Sequence, residues 1–517
     1  MNLRAKKIIF LLLAGALLFS AGRVQQSLNV DRDRLGMTQM AVLDNAPPML
    51  AFTTVALGGF RGLISNFLWI RANDLQQDDK FFEAAQLANW ITDLEPHFTQ
   101  VWIFQGWNMS YNISVKFKDA PDRWRWVENG IELLRDGGLH YNPDDVLIYR
   151  ELAWQFQHKM GANLDDANQY YKVQWAREMA PFFGPNGTNF TALIAPQTPA
   201  EKTNAQVLLE KYKIDPKFAK QVDDEWGPFD WRLPEAHAIY WGAKGLAVAK
   251  ANPGRVKEDD LITLRRIIYQ SIYQAFKHGR IVVDPFDKSY SLGPNLDLIP
   301  KVNLAYEKMF AEETQPSMRD GILRAQRNFL RDAIYFLYVA ARKDEAAKWF
   351  KYLGDKFPDK AIVENDPTSL PKNLTLDQYA FDVVQIDIGE TSQERVTSAI
   401  AGFITQAFLA QAVGDDDRAE NFRRLAKRVY EHYTAKTTDS KGTQRVALPL
   451  YNDMRRAILN NLLDPQGGLP YAGRAMLRTQ LAMPAETNAP ALSTNAVLPD
   501  LPSTNAVAPV RTNSAAK

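Results

Sequence analysis

Apolar side chains recur at helical spacing through most of this 517-residue chain, and this pattern constrains the fold more than any other feature. A period of about 3.6 residues places apolar side chains on one face of a helix, whereas a strand needs a period of two. Alternation of the second kind is nearly absent, and its best example, residues 281–283, is too short to organise a sheet. The sequence therefore predicts an all-α protein.

Glycine and proline clusters divide the helical pattern into separate elements. Successive amphipathic helices are expected between residues 57 and 184, up to the breakers at 184–187 and 196–199. Beyond these breakers we predict helices at 199–212, 216–224, 234–251, 257–278, 302–312, 318–342, 344–356, 392–413, 415–433 and 447–463.

Composition excludes several classes of function. The chain has no cysteine, so disulfides, thiolate metal ligands, cysteine nucleophiles and lipid-modified cysteines are impossible. Lys and Arg number 61 and Asp and Glu number 60, a balance that argues against nucleic-acid binding. The fold must rest on packing, for which the 11% of aromatic residues supply large buried areas.

The amino-terminal segment, residues 1–24, has the pattern of a membrane-targeting sequence. Arg4, Lys6 and Lys7 precede an apolar run over residues 8–22, an order that leaves the amino end in the cytoplasm. This run lies between the length of a signal-peptide core and the roughly 20 residues of a full span. We predict either a retained signal anchor in the cell membrane or a cleaved signal peptide, with the body in the periplasm or outside the cell.

The rest of the chain divides into segments of different composition. A polar linker over residues 25–56 is expected before the helical body, although apolar spacing over 49–70 indicates that the first amphipathic helix starts nearby. Residues 57–184 form a first helical region, 185–300 an irregular, aromatic-rich middle, and 301–482 a second helical region. Ala, Pro, Ser, Thr and Asn dominate residues 483–517, a composition that predicts a disordered tail. This tail is a solvated end or a tether.

A repeat pattern begins in the first helical region. Ala84 and Ala88 lie one helical turn apart, Pro96 ends that helix, and Trp102 and Gly106 follow on the next. Small residues permit close helix packing, and the tryptophan fills the space between stacked helical hairpins. This order of residue types resembles the tetratricopeptide repeat, a helix–turn–helix unit of about 34 residues.

Parts of the same pattern recur elsewhere. They are carried by Pro143, Tyr149 and Ala153, by Ala346, Phe350 and Pro358, and more weakly by Ala167 with Tyr171 and by Ala419 with Phe422 and Ala426. The interval from Pro96 to Pro143 exceeds the family's period, so we expect an insertion near residues 116–126. No unit is recognisable over residues 184–300. The resemblance implies an irregular tetratricopeptide-like superhelix of stacked α–α hairpins, and a generic helical bundle or an irregular solenoid stays the alternative.

The most unusual segment is the aromatic stretch from residue 226 to residue 241. Aromatic rings mixed with a few polar groups are typical of recognition grooves, but they are equally suited to packing the middle of a repeat array. The candidate partner-binding residues are Trp226, Trp231, Arg232, Glu235, His237, Tyr240 and Trp241.

Motifs that carry chemistry are missing. The six histidines are not paired at metal-ligand spacing, and the acidic runs 223–225 and 415–417 lack the pattern of a calcium loop, so no metal or cofactor is predicted. The repeat resemblance implies a scaffold at the cell envelope that binds a protein or peptide and is not an enzyme. The principal rival is an all-helical envelope enzyme acting on glycan, with catalytic carboxylates near Glu235. A purely structural envelope protein is the third option.

Overall fold

A computed structural model describes residues 3–34, 60–253, 256–283, 290–362, 366–388, 393–438 and 448–486. The chain forms two compact units, Met1–Phe98 and Thr99–Lys517. Regular structure in the described ranges is helical apart from a short hairpin of two strands. The prediction of an all-α protein is confirmed.

Unit 1 contains, in its described part, helices α1 (Leu3–Arg34), α2 (Phe60–Gln77) and α3 (Phe81–Leu94). Helix α1 covers residues 3–24 of the predicted targeting segment and continues into residues assigned to the linker, so the helix does not stop at residue 24. Residues 35–59, which hold the rest of that linker, lie outside the described ranges. Of the helices that the structure describes, none combines the length and apolar character needed to cross a membrane.

Unit 2 opens with three helices that each change from α-helical to π-helical winding. Their bounds are α4 (Thr99–Trp107) with the π segment Asn108–Ile113, α5 (Ala120–Glu132) with Leu133–Gly138 and a last α-turn Leu139–Tyr141, and α6 (Val146–Trp154) with Gln155–Gly161. The π-helix is rare and changes the direction in which the following side chains point. The first half of α5 occupies the predicted insertion.

The remaining helices of unit 2 are joined mostly by short connections. They are α7 (Asn168–Phe183), α8 (Phe190–Ile194), α9 (Pro199–Glu210), α10 (Pro216–Trp226), α11 (Pro234–Ala251), α12 (Glu258–His278), α13 (Ile299–Glu312), α14 (Pro316–Val339), α15 (Lys343–Lys356), α16 (Leu376–Ile388), α17 (Gln393–Ala412), α18 (Asp416–Thr437), α19 (Tyr451–Leu462) and α20 (Tyr471–Gln480). One apolar core runs through the unit, from Trp102 to Leu477. Most of these helices match predicted ranges, whereas α8, α16 and α20 were not predicted.

Residues 281–283, the best strand candidate in the sequence, do form a strand. Strand β1 (Arg280–Val283) pairs antiparallel with β2 (Tyr290–Gly293), and Ile281 lies opposite Leu292. Within the described ranges this hairpin has no third strand, so it remains an appendage to the helical core.

Three pairs of consecutive helices, α2–α3, α14–α15 and α17–α18, are connected by turns of the same geometry. Each turn places one residue in the left-handed region: Asp79 at φ 61°, Ala341 at φ 61° and Gly414 at φ 78°. In each turn the next N–H donates to a carbonyl of the preceding helix's last turn, as in a Schellman motif. The bonds run from Lys80 to Leu75 (2.8 Å), from Arg342 to Leu337 (2.9 Å) and from Asp415 to Ala410 (2.9 Å). Turns this short reverse the chain, so each pair forms an antiparallel hairpin.

The helix after each of these turns begins in the same register. The fifth residue after the left-handed position is Ala84, Ala346 or Ala419, and each of these alanines is 0% exposed. A methyl side chain at this point lets the two helices of the hairpin approach closely. The three hairpins therefore share a turn and a packing position.

The left-handed turns lead to a matched pair of stability predictions. Ala341→Gly is expected to raise the free energy of unfolding by about 0.5–1 kcal/mol, and Gly414→Ala to lower it by at least as much, since a Cβ disfavours this conformation. A Cβ at Gly414 would meet nothing closer than Gln480 Nε2 at 3.8 Å, so the loss would reflect conformation and not a clash. Urea unfolding measures both; a destabilised Ala341→Gly variant would contradict the turn geometry.

The predicted repeat-packing residues between positions 84 and 106 are buried or lie at a close contact between helices. In unit 1, Ala84, Ala88 and Pro96 are buried. In unit 2, Trp102 is buried, and a Cβ added to Gly106 would lie 2.8 Å from the side chain of Leu134. Gly106 thus allows the close helix approach that the sequence predicted.

The other predicted packing residues divide between core and surface. Tyr149 and Ala153 are buried, and the Tyr149 hydroxyl donates to the carbonyl of Pro143 at 2.8 Å. Ala346 is buried, Phe350 is partly buried and packs on Tyr379 with ring centres 5.0 Å apart, and both Pro143 and Pro358 are exposed.

The carboxyl-terminal boundary of the body lies slightly beyond the predicted one. Arg474 binds Glu486 through two hydrogen bonds of 3.0 Å each, so the chain is tied to the body three residues past position 483. The rest of the predicted disordered tail, residues 487–517, lies outside the described ranges.

Candidate functional site

An open groove lies between four helices of unit 2, α10 to α13. Its volume is about 560 Å³, which falls within the range of about 300–1,000 Å³ that is typical of ligand-binding clefts. Aromatic and aliphatic side chains form its surface. They are Phe218, Val222, Trp226, Ala243, Leu246, Ala247, Ile268 and Tyr269.

Charged side chains of both signs surround this apolar surface. The Lys308 ammonium lies 4.1 Å from the centre of the Trp226 ring and 3.7 Å from the Glu225 carboxylate. On α12, Arg265 lies 3.2 Å from Glu312, which also accepts a 3.1 Å hydrogen bond from the Tyr269 hydroxyl. Pairs this exposed contribute only about 0–1 kcal/mol each, so a bound molecule can rearrange them at small cost.

The wall formed by α10 is fixed at both ends by its own sequence. Pro216 occupies the first turn, and the Asp215 side chain caps the helix by accepting the Lys217 N–H at 2.9 Å. At the other end the chain turns at Gly227, where a Cβ would lie 2.6 Å from the carbonyl oxygen of Asp223. Glycine is required there by this close approach.

Asp223 holds the segment that follows α10 against the helix. One of its carboxylate oxygens accepts hydrogen bonds from the Phe229 N–H at 2.9 Å and from the Trp231 indole at 3.0 Å. Burial raises the pKa of Asp223, and these hydrogen bonds lower it in part. Asp223 therefore fixes the segment that leaves the groove wall just after Trp226.

The structure separates the seven candidate partner-binding residues. Trp226 lines the groove but is itself only 6% exposed, whereas Arg232 is held by Asp230 in a bidentate pair with bonds of 2.6 and 2.8 Å. The other five are buried in the core: Trp231, Glu235, His237, Tyr240 and Trp241. These positions agree with the other interpretation of the sequence, in which the aromatic segment packs the middle of the protein. The predicted anchor role therefore rests on Trp226.

Glu235 and His237, on which the rival enzymatic interpretation rests, are enclosed by protein. His237 is 0% exposed, its Nε2 lies 2.8 Å from the Trp231 carbonyl, and burial lowers its pKa to about 4. Burial also raises the pKa of Glu235, partly offset by the charge of Lys172. Neither residue lines the groove.

A buried ion-pair network lies between α5, α6 and α7. Asp165 accepts hydrogen bonds from Lys159 at 2.5 Å and from the Ala167 N–H at 2.9 Å, and it lies 2.9 Å from Arg123. Burial alone would raise the pKa of Asp165, but these hydrogen bonds and the charges of Lys159 and Arg123 lower it below its usual value. The network ties three helices together and is a structural centre.

Metal binding finds no support in the part of the chain that the structure describes. There, no group of three or more His, Asp or Glu side chains is placed to hold a metal ion. Asp415, first in one of the acidic runs, instead caps α18 by accepting the Arg418 N–H at 3.2 Å. His158 stacks on Trp154 with ring centres 4.5 Å apart and bonds to the Tyr111 hydroxyl.

Most groove residues carry no signal in the sequence. Phe218, Leu246 and Tyr269 follow the ordinary apolar period of their helices, which does not distinguish a covered face from an open one. Lys308 likewise resembles any surface lysine. Only the concentration of aromatic residues after position 226 pointed toward this region.

Comparison with known proteins does not assign the chain to a family. No protein-family model matches the chain, and neither the curated proteins nor the solved structures yield a significant match.

Proposed function

We propose that the protein is a scaffold of tetratricopeptide-like helical repeats that binds a protein or peptide segment in the groove between α10 and α13. The observation that carries this proposal is the groove itself, an open apolar cleft of about 560 Å³ rimmed by charges of both signs. Such a surface binds apolar side chains of a partner and orients them with weak polar contacts, and it requires no reactive group.

The repeat part of the proposal is supported by the three hairpins with a common turn. Each has a left-handed residue, a shared backbone hydrogen bond and a buried alanine five residues later. Ala84 and Ala346 are also the alanines of the sequence pattern that resembles the tetratricopeptide repeat. Stacking of such hairpins into a superhelix belongs to the proposal, since each unit buries its apolar face against a neighbour.

The cellular location belongs to the proposal as well. The cations Arg4, Lys6 and Lys7 ahead of the apolar run support targeting to a membrane, with the body in the periplasm or outside the cell. Amino-terminal sequencing of the mature protein distinguishes a retained anchor from a cleaved signal peptide.

The groove assignment predicts a selective loss of binding. Ala247 is exposed and lines the groove, so Ala247→Arg is expected to fill the cleft with a long charged side chain without disturbing the core. We expect proteins that co-purify with the full chain from the native cell envelope to fall at least about tenfold, equivalent to 1.4 kcal/mol of binding energy.

Ala347→Arg is the matched control, because Ala347 is an exposed helical alanine on α15 outside the groove. It should retain the same proteins in wild-type amounts, with an unchanged melting temperature for both variants. If the Ala247→Arg variant recovered the same proteins in the same amounts as the wild-type chain, the proposed function would be wrong.

A further inference from the structure

The end of α10 attracts three lysines, one from α10 itself and two from α13. Lys301 donates to the backbone carbonyls of Asp224 (3.1 Å) and Glu225 (2.5 Å), Lys220 pairs with Asp224, and Lys308 pairs with Glu225. Carbonyls at a helix carboxyl end carry partial negative charge, and the carboxylates of residues 223–225 lie at the same place. This end of the groove is therefore a site of negative potential.

Only one of these lysines covers the apolar surface of the groove. The Lys308 ammonium lies over the face of Trp226 at 4.1 Å, a geometry in which the indole ring attracts a cation. Its contact with Glu225 is long, at 3.7 Å, and the side chains are 40% and 60% exposed. Lys308 thus occupies a cation site built from a ring and a carboxylate, and it is held there weakly.

We propose that the groove selects partner segments in which a lysine or arginine is flanked by apolar side chains. The partner's cation takes the position of Lys308 over Trp226 and beside Glu225, while its apolar neighbours contact the surface near Ala243 and Leu246. When the Lys308 side chain turns out toward solvent, the partner's cation keeps one positive charge between Trp226 and Glu225, whereas a partner carboxylate at this position would lie beside Glu225. This inference rests on the proposed groove function and specifies the partner's chemistry.

The test uses the full chain and a library of random 12-residue peptides displayed on phage. Peptides that are enriched on the wild-type protein, but not on the Ala247→Arg variant, should share a Lys or Arg next to apolar residues. A synthetic peptide with norleucine in place of that basic residue should bind about three- to tenfold more weakly, as a lost cation–π contact and ion pair imply.

Two variants examine the cation site directly. Lys308→Met removes the internal competitor and should strengthen binding of the basic peptide about threefold or more, whereas Glu225→Gln should weaken it by a similar factor. Both residues are at the surface, and thermal unfolding shows whether each variant keeps its fold.

The outcomes separate the inference from the proposed function. Enrichment of neutral or acidic sequences, or equal binding of the norleucine peptide, would overturn the preference for a cation and leave groove binding intact. Failure to enrich any sequence over Ala247→Arg would overturn both.

Discussion

Asp165→Ala is expected to lower the free energy of unfolding by about 3–5 kcal/mol, the cost of leaving a buried charge without its partner. The Lys159 side chain is 3% exposed and its ammonium donates to Asp165 at 2.5 Å. Without this carboxylate, the ammonium is buried beside the second cation of the network, Arg123. Urea unfolding of the purified chain measures the loss.

Asp166→Ala is the matched control, because Asp166 is adjacent in the sequence but exposed, and it should change stability by less than about 0.5 kcal/mol. The double variant with Asp165→Ala and Lys159→Met should recover part of the loss, since it removes the buried ammonium and leaves only Arg123, whose side chain is 13% exposed, without its carboxylate. Equal effects of Asp165→Ala and Asp166→Ala would show that the network does not hold α5, α6 and α7 together.

Trp231→Ala is expected to cost about 3–5 kcal/mol of stability, as truncation of a large buried aromatic side chain does. Trp231 is 0% exposed, and its ring packs on Phe183 and Phe190 with centres 5.5 and 5.4 Å apart. Its indole also donates to Asp223, so the variant loses the bond that holds the segment behind α10. Thermal and urea unfolding are the measurements.

This result bears on the choice of binding residues. A partner lost from Trp231→Ala would report a damaged core, whereas loss from the still-folded Ala247→Arg variant would report the groove. Trp90→Ala is a control, because Trp90 is 49% exposed and its removal should cost less than about 1 kcal/mol. A fully stable Trp231→Ala variant would contradict the packing described for this segment.

The end of α10 gives the clearest comparison of sequence and structure. Trp226 and Trp231 are the same residue type in the same aromatic segment, and the sequence offers no reason to treat them differently. Both are buried, but Trp226 is 6% exposed and forms part of the groove wall, whereas Trp231 is 0% exposed and packs against Phe183 and Phe190 of α7 and α8. Their roles depend on which helices, distant in the sequence, pack against each ring. The spacing of apolar residues within one segment does not specify those helices.

The features that could be predicted from the amino-acid sequence are local ones. Helix α11 spans the predicted range, Pro234–Ala251, because proline fits a helix's first turn and the apolar period continues to its end. Helix α16 (Leu376–Ile388) was missed, although its start could be read from the sequence: Thr375 and Gln378 form a capping box, with bonds of 3.2 Å and 2.9 Å between side chains and backbone N–H groups. The all-α character and the alanines of the repeat pattern were likewise readable, since propensity and spacing act within a few residues.

Which helix faces stay uncovered depends on how helices distant in the sequence pack together. The groove exists because four helices, α10 to α13, bring the side chains that line it together. The Asp165 network likewise requires Arg123 of α5 to lie beside Lys159 of α6 and the loop that follows α6. Both depend on contacts between residues far apart in the chain. Such contacts arise when whole helices pack against each other. The residue types within one helix do not specify which other helix it will contact.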